Sequence, residues 1–169
     1  MKPETLFHTV YNSLFSDVYA YFSMAFGLDC ADDLSQQVFI KLCEYLQKPE
    51  RKAVENWRAW IFRVAVNVKN DFLRGKYASP EPAEFYDWKE DEGLFPDSAE
   101  TLVVREALSK LSAADREVLL LKASGLNSGE IGVSLALTAS AARSRISRAK
   151  ERFGKILKEC GVELDEENH

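Results

Sequence analysis

The sequence is poor in the residues that build disulfide frameworks, metal centres and membrane spans. Its 169 residues include only three cysteines, without CxxC spacing, and two histidines near opposite ends of the chain, so we expect no disulfide framework, no metal site and no cofactor. Apolar runs extend over a few residues, whereas a membrane-spanning helix needs roughly 20. We expect no membrane insertion. Because no basic stretch and apolar core open the chain, we expect no secretory signal and a cytoplasmic protein.

Catalytic patterns and strand patterns are also missing. The sequence shows no paired carboxylates, no nucleophile elbow and no phosphate-binding loop, so we expect a protein without enzyme activity. No window alternates apolar and polar residues for long enough to form a strand. With only 8 glycines and 5 prolines and 46% hydrophobic residues, the composition favours a globular all-α protein.

The net charge of −5 would argue against nucleic acid as a partner, but it hides a strong alternation. Residues 49–78 carry a local charge of +4, residues 79–100 carry −7 and residues 138–158 carry +6. The closing segment, 159–169, has five acids and no base. The two basic segments therefore restore nucleic acid as a candidate partner.

An acidic segment divides the chain. Residues 79–96 contain three prolines and a glycine, lack a helical period and join two strongly periodic regions, which is typical of a linker. We predict two small helical domains, residues 1–78 and 97–160, followed by an acidic tail, 161–169.

Apolar residues spaced three and four apart predict three helices in the first domain. The first runs through Phe7 and Phe22, the second is capped by Asp29, and the third carries Trp57 to Phe72. The second domain has four predicted helices. Their predicted N-caps are Asp97, Ser112, Asn127 and either Thr138 or Ser140, and Gly125 is expected to end the second of them.

The last two predicted helices form a helix-turn-helix pattern. A turn at 137–139 leads into a basic helix whose apolar spine, Ala142 to Ile156, recurs at spacings of four and three. Arg143 and Ser144 lie in its first turns, where base contacts are made. Arg148, Arg152 and Lys155 lie further along, where phosphate contacts are expected. The alternative is the solvated polar face of a packing helix.

Several strings resemble bacterial sigma factors of the extracytoplasmic-function group. Residues 57–74 are similar to the family's helix that melts the promoter and reads the −10 element, and residues 32–42 to its segment for docking on RNA polymerase. Matches in the second domain end in a string similar to the −35-reading helix; they cover 108–112, 116–121, 125–126, 130–131 and 142–152. The resemblance implies three partners: core RNA polymerase, promoter DNA and an anti-sigma factor.

The resemblance also assigns site residues. The residues implied in polymerase docking are Asp33, Gln36, Gln37, Phe39 and Lys41. Those implied at the −10 element are Arg58, Arg63, Asn67, Asn70, Arg74 and Lys76. Those implied at the −35 element are Ser140, Arg143, Ser144, Arg145, Arg148 and Arg152. Without the resemblance, the docking residues would be read as a solvated helix face with Phe39 buried.

A pocket for an unstacked base is implied in the loop 48–56. We expect Trp60 and Ile61 to pack in the core. For Trp57 and Phe62, packing in the core and contact with DNA bases both remain open. The chain departs from the family at Val66, where a basic residue is common, and near Ala136, where glycine is common. Ser147 also stands where the family often has a larger residue.

Two other functions remain open. One is a sigma-like decoy that binds an anti-sigma factor without directing transcription. The other is a free-standing helix-turn-helix regulator that uses only the second domain. The basic helix disfavours the first, and the docking-like segment disfavours the second.

Overall fold

The computed structural model describes residues 1–76 and 99–162, and the regular structure in these ranges is helical. The helices are α1 (Pro3–Phe26), α2 (Leu28–Gln47), α3 (Trp57–Lys76), α4 (Ala99–Ser109), α5 (Ala113–Ala123), α6 (Ser128–Leu135) and α7 (Ala139–Glu159). Among these helices, none has both the length and the apolarity needed to cross a membrane.

A single residue, Gly27, joins α1 to α2. Its φ of 90° lies in a region that L side chains rarely adopt, and its N–H donates to the Ser23 carbonyl at 2.9 Å. The predicted cap at Asp29 is wrong, because α2 begins at Leu28 with Gly27 as its N-cap, and Asp29 lies in the first turn. There its carboxylate is placed favourably toward the positive end of the helix dipole.

Aromatic side chains dominate the packing of α1 against α2 and α3. Phe39 on α2 packs edge-on against Tyr11 on α1, with ring centroids 4.9 Å apart. Toward the other end of α1, Phe26 meets Phe72 of α3 at 5.0 Å. Edge-to-face pairs of this kind add to the free energy of area burial, so they fix how the three helices are aligned.

Local side-chain caps begin the last three helices as predicted. Ser112 accepts from the backbone N–H of Asp115 at 3.2 Å, and Thr138 from that of Ala141 at 3.1 Å. Asn127 forms a reciprocal capping box with Glu130. Gly125 follows the end of α5 at φ 93°, as expected. The predicted cap at Asp97 lies outside the described residues.

The helices before and after the acidic segment pack together. α6 lies against α3, and α5 touches α1. One continuous cluster of buried apolar side chains includes Phe62 and Val66 from α3, and Val118 and Ile131 from α5 and α6. The predicted domain boundaries stay predictions, but the described parts of the two predicted domains share one core.

Candidate nucleic-acid interface

The first turns of α7 present a polar, positively charged surface. Ala142, Ile146 and Ala149 are buried against the other helices, which fixes the rotation of α7 about its axis. As a result, Ser140, Arg143, Ser144 and Arg148 are exposed and Arg145 is half-buried. Five of the six residues predicted at the −35 element therefore lie at or near the surface that a major groove could meet.

Arg152, the sixth, is engaged within the protein. Its Nη1 donates to the Asp115 Oδ2 on α5 at 2.7 Å, and Asp115 is buried. Because a buried carboxylate is costly without a partner, this ion pair holds α7 against α5. Arg152 was predicted at the DNA, and the structure places it in a helix-to-helix contact.

A second exposed polar stripe runs along α3. Arg63, Asn67, Asn70 and Arg74 follow one another at spacings of four, three and four, and all are exposed. Arg74 forms an ion pair with Asp71 of the same helix. The side chain of Lys76, also predicted at the −10 element, lies outside the described residues.

Arg58 is not part of that stripe. Its Nη1 donates to the Asp17 Oδ2 on α1 at 2.8 Å and to the Ser124 carbonyl, at the end of α5, at 3.4 Å. The structure therefore places this predicted −10 residue between the N-terminal and C-terminal helices, where it contacts both.

The loop before α3 forms one wall of a cleft of about 480 Å³, a size typical of small-ligand sites. The Tyr45 hydroxyl donates to the Lys52 carbonyl, and Asn56 caps α3 by accepting from the Ala59 N–H at 3.0 Å. The residues that line the cleft are Tyr45, Lys52, Ala53, Val54, Glu55, Asn56, Ala59, Trp60, Arg63 and Val133.

One aromatic residue of this cleft differs from expectation. Trp60, expected in the core, is half-buried and lines the cleft, with its ring 4.8 Å from that of Tyr45. Ile61 is fully buried, as expected, and so is Phe62, for which no prediction was made. Val133 comes from α6, so the C-terminal helices reach the cleft.

On α2, the residues predicted to dock on polymerase divide into two groups. Asp33, Gln36, Gln37 and Lys41 are exposed on the surface. Phe39 is only 3% exposed and packs in the aromatic cluster with α1, so it is not on that surface. Ile40, which sequence reasoning did not single out, is 55% exposed beside them. Ile40 does not follow the three- and four-residue spacing of the buried apolar residues of α2, and this departure could have predicted its exposure.

A buried polar cluster between the two groups of helices was also missed. Glu117 on α5 accepts from the Tyr21 hydroxyl on α1 at 2.6 Å and forms an ion pair with Lys69 on α3. Burial, together with the nearby Arg116 charge, lowers the pKa of Lys69 to about 8, and burial raises that of Tyr21. The signal in the sequence was a charged residue on an otherwise apolar helix face, Lys69 on α3 and Glu117 on α5.

Solved structures share this arrangement of helices. The structure of CnrH in complex with the cytosolic domain of CnrY matches with a TM-score of 0.67 and 24% identity, covering 92% of this chain and 90% of that chain. The sigma factor RpoE in complex with the anti-sigma factor NepR, from Bartonella quintana, matches with a TM-score of 0.61 and 22% identity, covering 92% and 96%. Within the described ranges, no cluster of His, Cys, Asp and Glu could hold a metal ion.

The shared helical core, the capped helix-turn-helix and its exposed basic helix define a helical DNA-binding protein of the helix-turn-helix class. Residues 101–153 match the family described as sigma-70, region 4. The RNA polymerase sigma factor SigZ of Bacillus subtilis (strain 168) is 31% identical over 133 residues, which cover 76% of this chain and 73% of SigZ. The chain belongs to the sigma-70 family of RNA polymerase sigma factors, in its extracytoplasmic-function group.

Proposed function

We propose that this protein binds core RNA polymerase and directs promoter-specific initiation, with α7 reading the −35 element and α3 acting at the −10 element. The observation that carries the proposal is the exposed N-terminal part of α7, which lies within the matched sigma-70 region 4. Arg143 and Ser144 stand in the first turns of a helix that follows a capped turn, the geometry by which such helices reach base edges.

The −10 element would be opened on α3 and held in the adjacent cleft. The rings of Tyr45 and Trp60 are both half-buried there, and stacking on aromatic rings stabilises an unpaired base by about 1–3 kcal/mol. Arg63 lines the cleft and belongs to the exposed stripe of α3. It would therefore connect a base in the cleft to the phosphates that follow the stripe.

The remaining surfaces fit protein partners. The exposed polar residues of α2, with Ile40 among them, would dock on core polymerase, and an anti-sigma factor would hold the protein away from promoters. The protein would work as a binding subunit without catalytic chemistry of its own. It would act in the cytoplasm, where polymerase and DNA are found.

Run-off transcription tests the proposal directly. Purified core polymerase and this protein are supplied with templates selected from a random promoter library. We expect specific transcripts that depend on this protein, and we expect the selected templates to share two elements. Failure to initiate specifically, together with tight binding to an anti-sigma factor, would identify a decoy. Duplex binding without any binding to polymerase would identify a free-standing regulator.

A single substitution tests the role of α7. Arg143→Ala should weaken binding to a selected −35 duplex about tenfold, since a good base contact contributes about 1–3 kcal/mol. Fluorescence anisotropy across a salt series measures it. Lys122→Ala removes the same charge from an exposed position on α5 and should bind like the wild type. Equal affinity for Arg143→Ala at every salt concentration would rule out this contact.

A further inference from the structure

The loop between α2 and α3, residues 48–56, is tied to the end of α2. Arg51 donates from its Nη1 to the Leu46 carbonyl at 2.8 Å, which satisfies an acceptor of the last helical turn. The hydroxyl of Tyr45, one residue before Leu46, donates to the Lys52 carbonyl. Two consecutive loop residues are therefore fixed to one helix end, and we call these two hydrogen bonds the loop anchors.

The anchored residues lead directly into a wall of the cleft. Residues 53–55 follow Lys52 and line the cleft, and Asn56 then caps α3 by accepting from the Ala59 N–H at 3.0 Å. The three wall residues are thus held on both sides, by the loop anchors before them and by the helix cap after them. Because the chain is already ordered here, the backbone has little conformational entropy left to lose when a ligand binds.

Tyr45 has two separate contacts in this cleft. Its ring is half-buried, lies 4.8 Å from the ring of Trp60 and belongs to the surface proposed to stack on an unpaired base. Its hydroxyl gives its hydrogen to the Lys52 carbonyl, so the hydroxyl holds the wall and does not donate to a base. Removal of the hydroxyl alone therefore separates the position of the wall from the stacking surface.

Arg51 has only the first kind of contact. It is half-buried, and it is not one of the residues that line the cleft. Its hydrogen bond to the Leu46 carbonyl lies on the side of the loop that precedes the wall. Any effect of Arg51 on a base in the cleft must therefore pass through the shape of the loop.

We propose that Tyr45 and Arg51 are positioning residues of −10 recognition, which hold residues 53–55 in one preformed shape so that the cleft selects its base by fit. This inference rests on the proposed function for the strand that enters the cleft, while the anchored loop is a property of the chain itself. A loop ordered before binding spends no binding energy on its own ordering. It also does not reshape around a base that fits poorly, and this rigidity gives discrimination.

Limited digestion with trypsin tests the loop anchors without DNA or polymerase. Cleavage after the exposed Lys52 requires the loop to leave its anchored shape, so its rate measures how often the loop opens. Tyr45→Phe should raise this rate about threefold to tenfold, because it removes one hydrogen bond and keeps the ring. Arg51→Met keeps a long side chain without a donor and should act in the same direction. Cleavage after Lys69, within α3, should stay at the wild-type rate, since it requires the helix to unfold.

Tyr19→Phe is the matched control. It removes a hydroxyl from a half-buried tyrosine of α1 that does not line the cleft, and it should leave cleavage after Lys52 unchanged. Equal rates for the wild type, Tyr45→Phe and Arg51→Met would overturn the loop anchors. An equal rise in Tyr19→Phe and Tyr45→Phe would also overturn them, because the effect would then be one of general stability.

Base discrimination tests the positioning role. Forked templates from the selected promoters carry an abasic nucleotide at each −10 position in turn, and their binding to holoenzyme is measured. For the wild type we expect one position at which loss of the base weakens binding most, by about tenfold. In Tyr45→Phe and Arg51→Met this penalty should shrink several-fold and the preference among the four bases there should narrow. The penalties at the other positions should stay as in the wild type and in Tyr19→Phe.

The two measurements separate this inference from the proposed function. If holoenzyme binds none of the templates while cleavage after Lys52 still responds to Tyr45→Phe, the anchored loop stands and the proposed function fails. If holoenzyme binds and the abasic penalties of both variants equal those of the wild type, the loop anchors do not position the cleft for a base, and the inference fails.

Discussion

The basic side chains of α7 fall into two groups with different surroundings. Arg143 and Arg148 are exposed on the outer surface, and no ion pair joins them to the described residues. Arg152 is bound to Asp115, which is 5% exposed on α5. The first two leave their charge open to solvent, as the proposed contact with DNA requires, whereas Arg152 neutralises a buried carboxylate and positions the helix that carries them.

Arg152→Ala should therefore act on stability more than on DNA. We expect a loss of about 1–2 kcal/mol in the free energy of unfolding, less than for a fully buried pair because Arg152 is partly exposed. Urea unfolding followed by circular dichroism measures it. Arg148→Ala, which removes the same side chain four residues earlier, should unfold at the wild-type urea concentration. Equal stability of the two variants would contradict the structural role of Arg152.

Lys69 should make the stability of the packed structure depend on pH. Its pKa is lowered to about 8 in the packed structure and returns to its ordinary value of 10.5 when the helices separate. Between these values the open or unfolded form binds more protons, so this lysine favours the packed form increasingly as pH rises from about 8. NMR titration of the lysine side-chain carbons measures the pKa. A titration of Lys69 above pH 10 in the wild-type protein would contradict it.

The turn of the helix-turn-helix is strained at one residue. Ala136 has φ 57° and ψ 44°, in the left-handed region, and its backbone closes α6. Next to it, Gly132 leaves no room for a side chain, because a Cβ there would lie 2.7 Å from the Leu137 carbonyl oxygen. The close approach of α6 to the following turn thus depends on the glycine at 132. The alanine at 136 makes the same turn less stable, because its side chain disfavours the left-handed backbone.

Ala136→Gly should stabilise the protein by about 0.5–1 kcal/mol. Left-handed backbone costs an alanine roughly 1–2 kcal/mol, and the greater freedom of glycine in the unfolded chain offsets about half of the gain. Thermal unfolding should show a rise of about 2–4 °C per kcal/mol in a chain of this size. Gly132→Ala should lower the midpoint. A lower midpoint for Ala136→Gly would show that the turn is not strained.

At the scale of the whole molecule, one apolar core joins the described parts of the two predicted domains. The linker pattern of the sequence did not predict this shared core. Buried apolar residues of α1, α2 and α3 continue without a break into those of α5, α6 and α7. Tyr21, which belongs to this core, donates its hydroxyl hydrogen to Glu117 of α5. Each group of helices therefore depends on the other for the burial of part of its apolar surface.

We predict that heat unfolds the described helices in one cooperative transition. Calorimetry should give equal calorimetric and van't Hoff enthalpies for the wild type, the test of two-state unfolding. Glu117→Gln should broaden or split the transition, since the contact between the helix groups is weakened. Glu106→Gln, the control, removes an exposed acid of α4 that pairs with Lys110 of the same helix and should leave the transition unchanged. Two separate transitions in the wild type would show that the two groups fold independently.

Local chemistry is what the sequence determined by itself. The caps at Ser112, Asn127 and Thr138 each bind the backbone N–H three residues further on. Apolar spacing sets which face of each helix is buried, so the helices and the exposed part of α7 followed from nearby residues. Even the strain at Ala136 was visible as a departure from glycine.

Only the tertiary structure decided which charges and rings meet across the chain. Asp29 is not the N-cap of α2, as was predicted, because Gly27 turns the chain in one residue. Phe39 is buried because α1 places Tyr11 against it. Tyr21 and Glu117 are 96 residues apart in sequence. Apolar spacing along one helix specifies which of its faces is buried, but not which other helix packs against that face. The partners of Arg58, Lys69 and Arg152 therefore depended on how the helices pack.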